Sequence, residues 1–223
     1  NNNIIRLKVP DKEIEIFTWQ SEKATKDFDY HCLIKNEDGS LLKFTRENRD
    51  YSRIRREEFN KDNWYGAVYY HILPQSFGNQ NYYILFGFAQ NSSEEKFKII
   101  ETISFNTNDL KLGLPVFPYV DKDKESTTLN RMLIKYSQGS NCLLRFEEVE
   151  KQIIFDHMIY YEDFGSGTMG SYLPDGSYEA FEYKGKTWKY IPKLKVEVQS
   201  TPPRERPVLD GNTKDIFGKD NKK

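Results

Sequence analysis

Tyr82-Tyr83-Ile84-Leu85-Phe86-Gly87-Phe88 carries seven consecutive residues without a charge, six of them aromatic or aliphatic. So short and apolar a run reads as a buried strand. Similar runs follow at residues 97–105, 132–146 and 153–161, separated by polar segments bearing Gly or Pro. That spacing is the rhythm of an antiparallel sheet. With 223 residues the chain is long enough for one sizeable all-β domain. Its aromatic fraction of 15%, with fifteen Tyr and fifteen Phe, favours strands and large contact surfaces over helical bundles.

The predicted fold is all-β, a mainly antiparallel meander of roughly ten or eleven strands. It forms a barrel-like or sandwich domain with at most one or two short helices. Residues 1–62 supply N-terminal strands and a charged segment that could form a small lobe. Residues 63–199 form the main β domain, and residues 200–223 an extended Pro-, Gly- and charge-rich tail.

Ile14-Glu15-Ile16-Phe17 begins a half-buried strand by its alternation. Asn36-Glu37-Asp38-Gly39-Ser40 between two apolar runs is a hairpin turn, with Gly supplying the positive φ such turns need. The charged residues 46–60 carry Tyr51, Ile54, Glu58 and Phe59 at roughly helical spacing, which predicts one short surface helix. Pro74 is expected to close the strand that begins at Trp64. Residues 131–136 and 142–148 are predicted to pair as a hairpin across Ser137-Gln138-Gly139-Ser140-Asn141. Residues 165–176 read as a Gly-rich loop, and Lys184-Gly185 as a tight turn between the last two strands.

Thirty-three basic against 34 acidic residues leave a net charge of -1. No basic footprint for nucleic acid and no polybasic membrane patch follow from that balance. No apolar run is long enough for a transmembrane helix. Cys32 and Cys142 lie 110 residues apart and outside any CxxC. They fit one long-range disulfide or two isolated thiols equally, and they do not suggest a zinc site. Gly165-Ser166-Gly167-Thr168-Met169-Gly170 matches GxGxxG, but Ser171-Tyr172-Leu173-Pro174-Asp175-Gly176 follows it, and a dinucleotide site needs a helix there. Asp121-Lys122-Asp123-Lys124-Glu125 lacks the glycine and distal glutamate of a calcium loop and reads as solvated. Asn91-Ser92-Ser93 is a sequon. Asp156 and His157 are adjacent on a strand, so their side chains point to opposite faces. His31 and His71 sit in apolar runs with no partner in reach by sequence. No catalytic, cofactor-binding or metal-binding set emerges, and the chain reads as a non-enzyme without a cofactor.

The aromatic pairs Tyr69-Tyr70, Tyr82-Tyr83 and Tyr160-Tyr161 place one ring on each face of a sheet. A core with a wet rim explains them, and a ligand groove is the competing reading. The candidate partner or ligand surface comprises Tyr69, Tyr82, Tyr160, Tyr172 and Trp188, together with Val208, Leu209, Ile216 and Phe217, the apolar pairs of the tail. The prolines of Thr201-Pro202-Pro203 preclude a continued sheet, and the tail has too little apolar surface to fold alone, so it suits docking on a partner.

Several of these segments, in fixed order, resemble a group of uncharacterised proteins from Bacteroidota that look like exported cell-envelope proteins. They are Trp64-Tyr65-Gly66-Ala67-Val68-Tyr69-Tyr70, residues 82–88, Gly113-Leu114-Pro115-Val116-Phe117, Phe155-Asp156-His157, Tyr172-Leu173-Pro174-Asp175-Gly176-Ser177-Tyr178 and Trp188-Lys189-Tyr190. The resemblance spans residues 64–191 and carries no known chemistry or site residues. It implies a periplasmic or outer-membrane-associated location, and suggests that an N-terminal portion is missing. With it, the leading expectation is a non-enzymatic envelope component that binds other proteins, for instance an accessory subunit of an outer-membrane assembly. The alternatives are a carbohydrate- or lipid-binding β-module, and an envelope hydrolase built around His71 or His157.

Overall fold

The computed structural model describes residues 4–24, 27–51, 53–78, 80–90, 95–106, 109–120, 126–162 and 170–195. The order of strands begins with β1 (Ile5–Lys8), β2 (Glu15–Ala24), β3 (Asp27–Lys35) and β4 (Leu41–Lys43), paired consecutively as one antiparallel sheet. After a 3₁₀ turn at Ile54–Arg56 come β5 (Val68–Phe77), β6 (Gln80–Gln90), β7 (Glu95–Asn106) and β8 (Asp109–Leu112). Then follow β9 (Phe117–Val120), β10 (Ser126–Leu129) and β11 (Met132–Ser137). The last four are β12 (Leu144–Glu147), β13 (Gln152–Tyr161), β14 (Ser171–Lys184) and β15 (Thr187–Ile191). A second sheet has the order β11-β7-β6-β5, with β8 also on β7; β12 to β15 form a third in sequence order, and β9 pairs with β10. All these ladders are antiparallel, and no sheet of the described residues closes into a barrel. The all-β expectation therefore takes its sandwich form.

The run at 82–88 is continuous because both of its faces are buried. Tyr83, Leu85 and Ala89 pack into one core with Ile16, Tyr30, Cys32 and Ile34 of the first sheet. Tyr82, Ile84 and Phe86 point the other way, into a second core with Ile153, Phe155, Phe181 and Trp188 of the third sheet. The second sheet is thus the shared wall of two cores, and alternation is invisible in a sequence that is apolar on both faces. Gly87 pairs with Tyr69 where β5 shifts register. A Cβ there would lie 2.9 Å from the Tyr69 ring, so the glycine lets that ring lie across the strand.

Several expectations need correction. Fifteen strands form among the described residues, not ten or eleven, because β1 and β10 are too short to show a periodicity and the bend at Gly113 separates β8 from β9. The described residues of 46–60 hold no α-helix. Tyr51, Ile54 and Phe59 are core residues, and Phe59 exchanges backbone hydrogen bonds with Leu112 in both directions (2.9 and 2.8 Å). β5 does not stop at Pro74 but continues to Phe77, which an edge strand permits because the missing N–H is not needed there. Residues 131–136 and 142–148 are not a hairpin: β11 pairs with β7, and β12 with β13, in different sheets. Residues 171–176 belong to β14, so they do not form a loop. The turn before β15 is Gly185-Lys186, both at positive φ (61° and 63°). Cys32 and Cys142 are both free and buried, one in each core.

Candidate functional site

The far halves of β13 and β14 stand apart from the rest of their sheet. They pair Met158 with Pro174, Ile159 with Leu173, Tyr160 with Tyr172 and Tyr161 with Ser171. β12 flanks β13 only over residues 152–155, and β15 flanks β14 only over residues 180–184. What remains is a two-stranded ribbon, an arrangement only marginally stable alone. Its bend comes from Asp175, Gly176 and Ser177, which oppose the single residue His157 between two regular stretches of the ladder. Gly176 takes φ +84°, and the Asp175 carboxylate accepts hydrogen bonds from the Ser177 N–H (2.8 Å) and hydroxyl (2.7 Å).

One face of the ribbon docks on the second sheet. The Tyr172 N–H donates to Ser137 Oγ (2.8 Å), the Lys135 ammonium lies 4.8 Å from the Tyr172 ring centre, and Lys135 also pairs with Glu95. Below Tyr172 runs a cleft of about 380 Å³ whose walls include Tyr51, Arg55, Phe97, Leu133 and Lys135. The opposite face carries the cross-strand pair Ile159 and Leu173, with Tyr161 next to Ile159 on the same face; they are 42%, 37% and 58% exposed respectively. Tyr160, 49% exposed, completes an apolar tip, so four of the ten large hydrophobic side chains exposed among the described residues sit on this one ribbon. Such clustering marks an interaction surface far better than scattered exposure does.

The predicted surface residues separate into three groups. Tyr160 and Tyr172 meet on the ribbon with ring centres 5.0 Å apart. Tyr69, Tyr82 and Trp188 are corrected: all three are buried, Tyr69 in the first core, and Tyr82 and Trp188 in the second. The Tyr82 hydroxyl accepts a hydrogen bond from Trp188 Nε1 (2.8 Å), and the Tyr69 hydroxyl accepts one from Trp64 Nε1 (3.2 Å). Val208, Leu209, Ile216 and Phe217 lie outside the described residues, as do Asn91-Ser92-Ser93 and Asp121-Lys122-Asp123-Lys124-Glu125. Ile159 and Leu173 are not among the expected surface residues, and Tyr161 figures in the sequence reading only as part of the Tyr160-Tyr161 pair. Their only signal is position, at the end of an apolar run that outlasts the strands flanking it.

The most heavily buried polar cluster is structural. Arg131 Nε donates to Glu101 Oε2 (2.6 Å), and neither side chain is exposed. The Tyr65 hydroxyl also donates to Glu101 Oε2 (2.8 Å) and bonds the Tyr69 hydroxyl, while the Thr102 N–H donates to Oε1 (2.8 Å). Arg131 spans to the Ile54 carbonyl and stacks over Phe59 and Tyr65. It thereby pins the 3₁₀ turn, which replaces the expected helix. Burial pushes the Glu101 carboxyl upward against the pull of Arg131, and pushes Tyr65 and Tyr69 well above the ordinary phenol range. The cluster has no opening and serves as an anchor.

The histidines are distributed differently from expectation. His31 has a partner after all, the Ser21 hydroxyl at 2.8 Å, and stacks on Trp19. His71 lies against Phe86, and burial pulls its imidazole below the usual range. His157 Nδ1 bonds Glu179 Oε1 (2.6 Å), and Glu179 Oε2 accepts from the Tyr190 hydroxyl (2.6 Å). Asp156 turns away to accept from the Leu143 N–H (2.7 Å). An acid that orients a histidine is half of a catalytic constellation, but no Ser, Thr or Cys of the described residues bonds His157. Among the described residues no group of three His, Cys, Asp or Glu could hold a metal ion, and no helix is long and apolar enough to cross a membrane.

Comparison of the chain with family models, with curated proteins and with solved structures gave no match.

Proposed function

We propose that the chain is a non-enzymatic protein-binding module, and that the β13–β14 ribbon is its recognition element. One observation carries this reading: Ile159, Tyr161 and Leu173 form an outward apolar face on strands with no flanking neighbour among the described residues. Unflanked strands also offer unpaired backbone groups, the feature that lets an extended partner segment add to a sheet. The cleft beneath Tyr172, with both apolar and charged walls, gives such a partner a second place to anchor. The resemblance to exported Bacteroidota proteins supports a place in the cell envelope, at the periplasmic face or in an outer-membrane assembly.

A photo-reactive amino acid placed at Leu173 tests the assignment, with Lys186, in the turn beyond the far end of β14, as control. In the native host, cross-links to a defined protein are expected from position 173 and not from 186. The triple variant Ile159→Ser, Tyr161→Ser, Leu173→Ser is expected to abolish recovery of that protein while unfolding as the wild type does. Recovery of the protein alone and monomeric, with identical cross-linking from both positions, refutes the reading.

A further inference from the structure

A second cleft, of about 530 Å³, opens at the rim of the second core, between the second and third sheets. β7 and β11 contribute Lys98 and Tyr136, the β11–β12 connection contributes Asn141, Cys142 and Leu143, and β13 and β14 contribute Asp156 and Tyr178. Lys98 projects from the face of β7 that lies over the second core. It pairs across the sheet with Phe88 on one side and Ile134 on the other. Its ammonium sits 4.7 Å from the centre of the Tyr70 ring.

Two cations of this sheet lie over tyrosine rings, and they differ in one respect. Lys135 over Tyr172 has the Glu95 carboxylate beside it. Lys98 over Tyr70 has no carboxylate partner among the described residues, and its electrostatic surroundings are burial and the Cys142 thiol. Burial draws its ammonium below the usual lysine range. The hydroxyl of Tyr70, the ring receiving it, is itself enclosed and makes no hydrogen bond. A half-desolvated cation on the wall of an open cleft interacts more strongly with an incoming anion than an exposed lysine does, because less water must be displaced and screening is weaker.

We propose that this cleft binds a small monocarboxylate with an apolar body, its carboxylate on Lys98 and its body against Tyr136, Leu143 and Tyr178. The class follows from the walls. One cation neutralises one negative charge, and Asp156 on the facing wall repels a second, which disfavours dicarboxylates and phosphate esters. The aromatic and leucine side chains supply the apolar contact, and the Asn141 side chain offers a further polar contact at the mouth. The site is separate from the outer face of the ribbon, so it stands whether or not the ribbon binds protein.

The test is titration of the isotopically labelled protein with 4-phenylbutyrate, its neutral amide and succinate, followed by backbone amide NMR. 4-Phenylbutyrate is expected to saturate with a Kd on the order of 1 mM or tighter. Its shifts should centre on Lys98, residues 141–143 and Tyr178, and the amide and succinate should bind at least tenfold more weakly. Lys98→Met should weaken 4-phenylbutyrate tenfold or more, and Lys98→Arg should retain it. Asp156→Asn should raise the affinity for succinate. Thermal unfolding of each variant confirms that it is folded before titration. Equal binding of acid and amide, undiminished binding by a folded Lys98→Met variant, or no saturation in the wild type overturns the proposal.

Discussion

Replacing Arg131 with methionine tests the buried anchor most directly. The substitution keeps an unbranched apolar stem and removes the guanidinium that bonds Glu101, reaches the Ile54 carbonyl and lies over the Phe59 and Tyr65 rings. Glu101 is then left fully buried with only the Tyr65 hydroxyl and the Thr102 N–H. Breaking one side of a buried ion pair costs about 3–5 kcal/mol, chiefly through the charge left behind. At ~2–4 °C per kcal/mol for a chain of this size, Tm should fall by roughly 10 °C or more. The loss should depend on pH in a definite direction. Burial already raises the folded-state pKa of Glu101 above the usual glutamate range, and losing Arg131 removes the main opposing influence. A group with a raised folded pKa contributes stability that is complete below its unfolded pKa and is lost as pH rises through the folded value. The deficit of Arg131→Met relative to wild type should therefore be smaller at pH 5 than at pH 8. Adding Glu101→Gln should recover part of it at pH 8, since a neutral amide leaves no buried charge, and its oxygen can accept from the Thr102 N–H while its NH2 donates to the Tyr65 hydroxyl. Urea unfolding followed by circular dichroism at both pH values measures all three quantities. A deficit under about 1 kcal/mol, or one that grows on acidification, would refute the account of Glu101 as a carboxylate held by Arg131.

Other perturbations have equally definite outcomes. Gly113→Ala should destabilise by about 3 kcal/mol or more, because the residue sits at φ +94° and the new Cβ meets Arg131 Nη2 at 2.5 Å and the Glu57 carbonyl at 2.7 Å. Gly139→Ala should cost only about 1 kcal/mol in the same unfolding assay, since its φ of +85° is strained but its surroundings are open. Gly170→Ala should displace Tyr160, whose ring a Cβ would meet at 2.5 Å, and change the near-ultraviolet dichroism without a large loss of stability. Both thiols should resist an aromatic disulfide reagent at pH 8 until denaturant is added. Cys142, which lines the second cleft and whose thiol burial pushes up to about 12, should react before Cys32.

What the sequence revealed follows the range over which each feature is determined. Asp38-Gly39 marks its turn because a two-residue backbone preference decides it, and the Asn36 carbonyl does accept from the Gly39 N–H (2.9 Å). β6 is legible as a strand from composition alone. That it serves two cores is not, since uniform burial erases the alternation that would assign faces. The misreading of residues 46–60 has a distant cause: Tyr51 stacks on Phe97 (5.0 Å), and the 3₁₀ turn answers to Arg131, 77 residues from Ile54. Glu101, alone among Ile99, Ile100, Thr102 and Ile103, was the visible sign of a buried ion pair, but nothing local names its partner. The ribbon was the least legible part. Ile159 and Tyr161 have the same residue character as Ile153 and Phe155, and only the lengths of neighbouring strands make the first pair exposed and the second pair core. Asp175-Gly176 looks like the loop between two elements because a bulge and a turn use the same residues.

The shared wall formed by the second sheet bears on how the molecule assembles and comes apart. Residues 5–43 have no second layer of their own, and neither do residues 144–191; each needs β6 and β7 to close its core. Folding of either flank before the β5–β6–β7 meander forms would leave one apolar face of its sheet in water. The meander is therefore the natural nucleus, built from hairpins between consecutive strands, with the two flanks closing on it. Amide protons of Ile84 to Phe86 should exchange only through global opening, while those of Ile159 to Tyr161 on the ribbon exchange through local fraying. The proposed recognition ribbon can thus rearrange without disturbing either core.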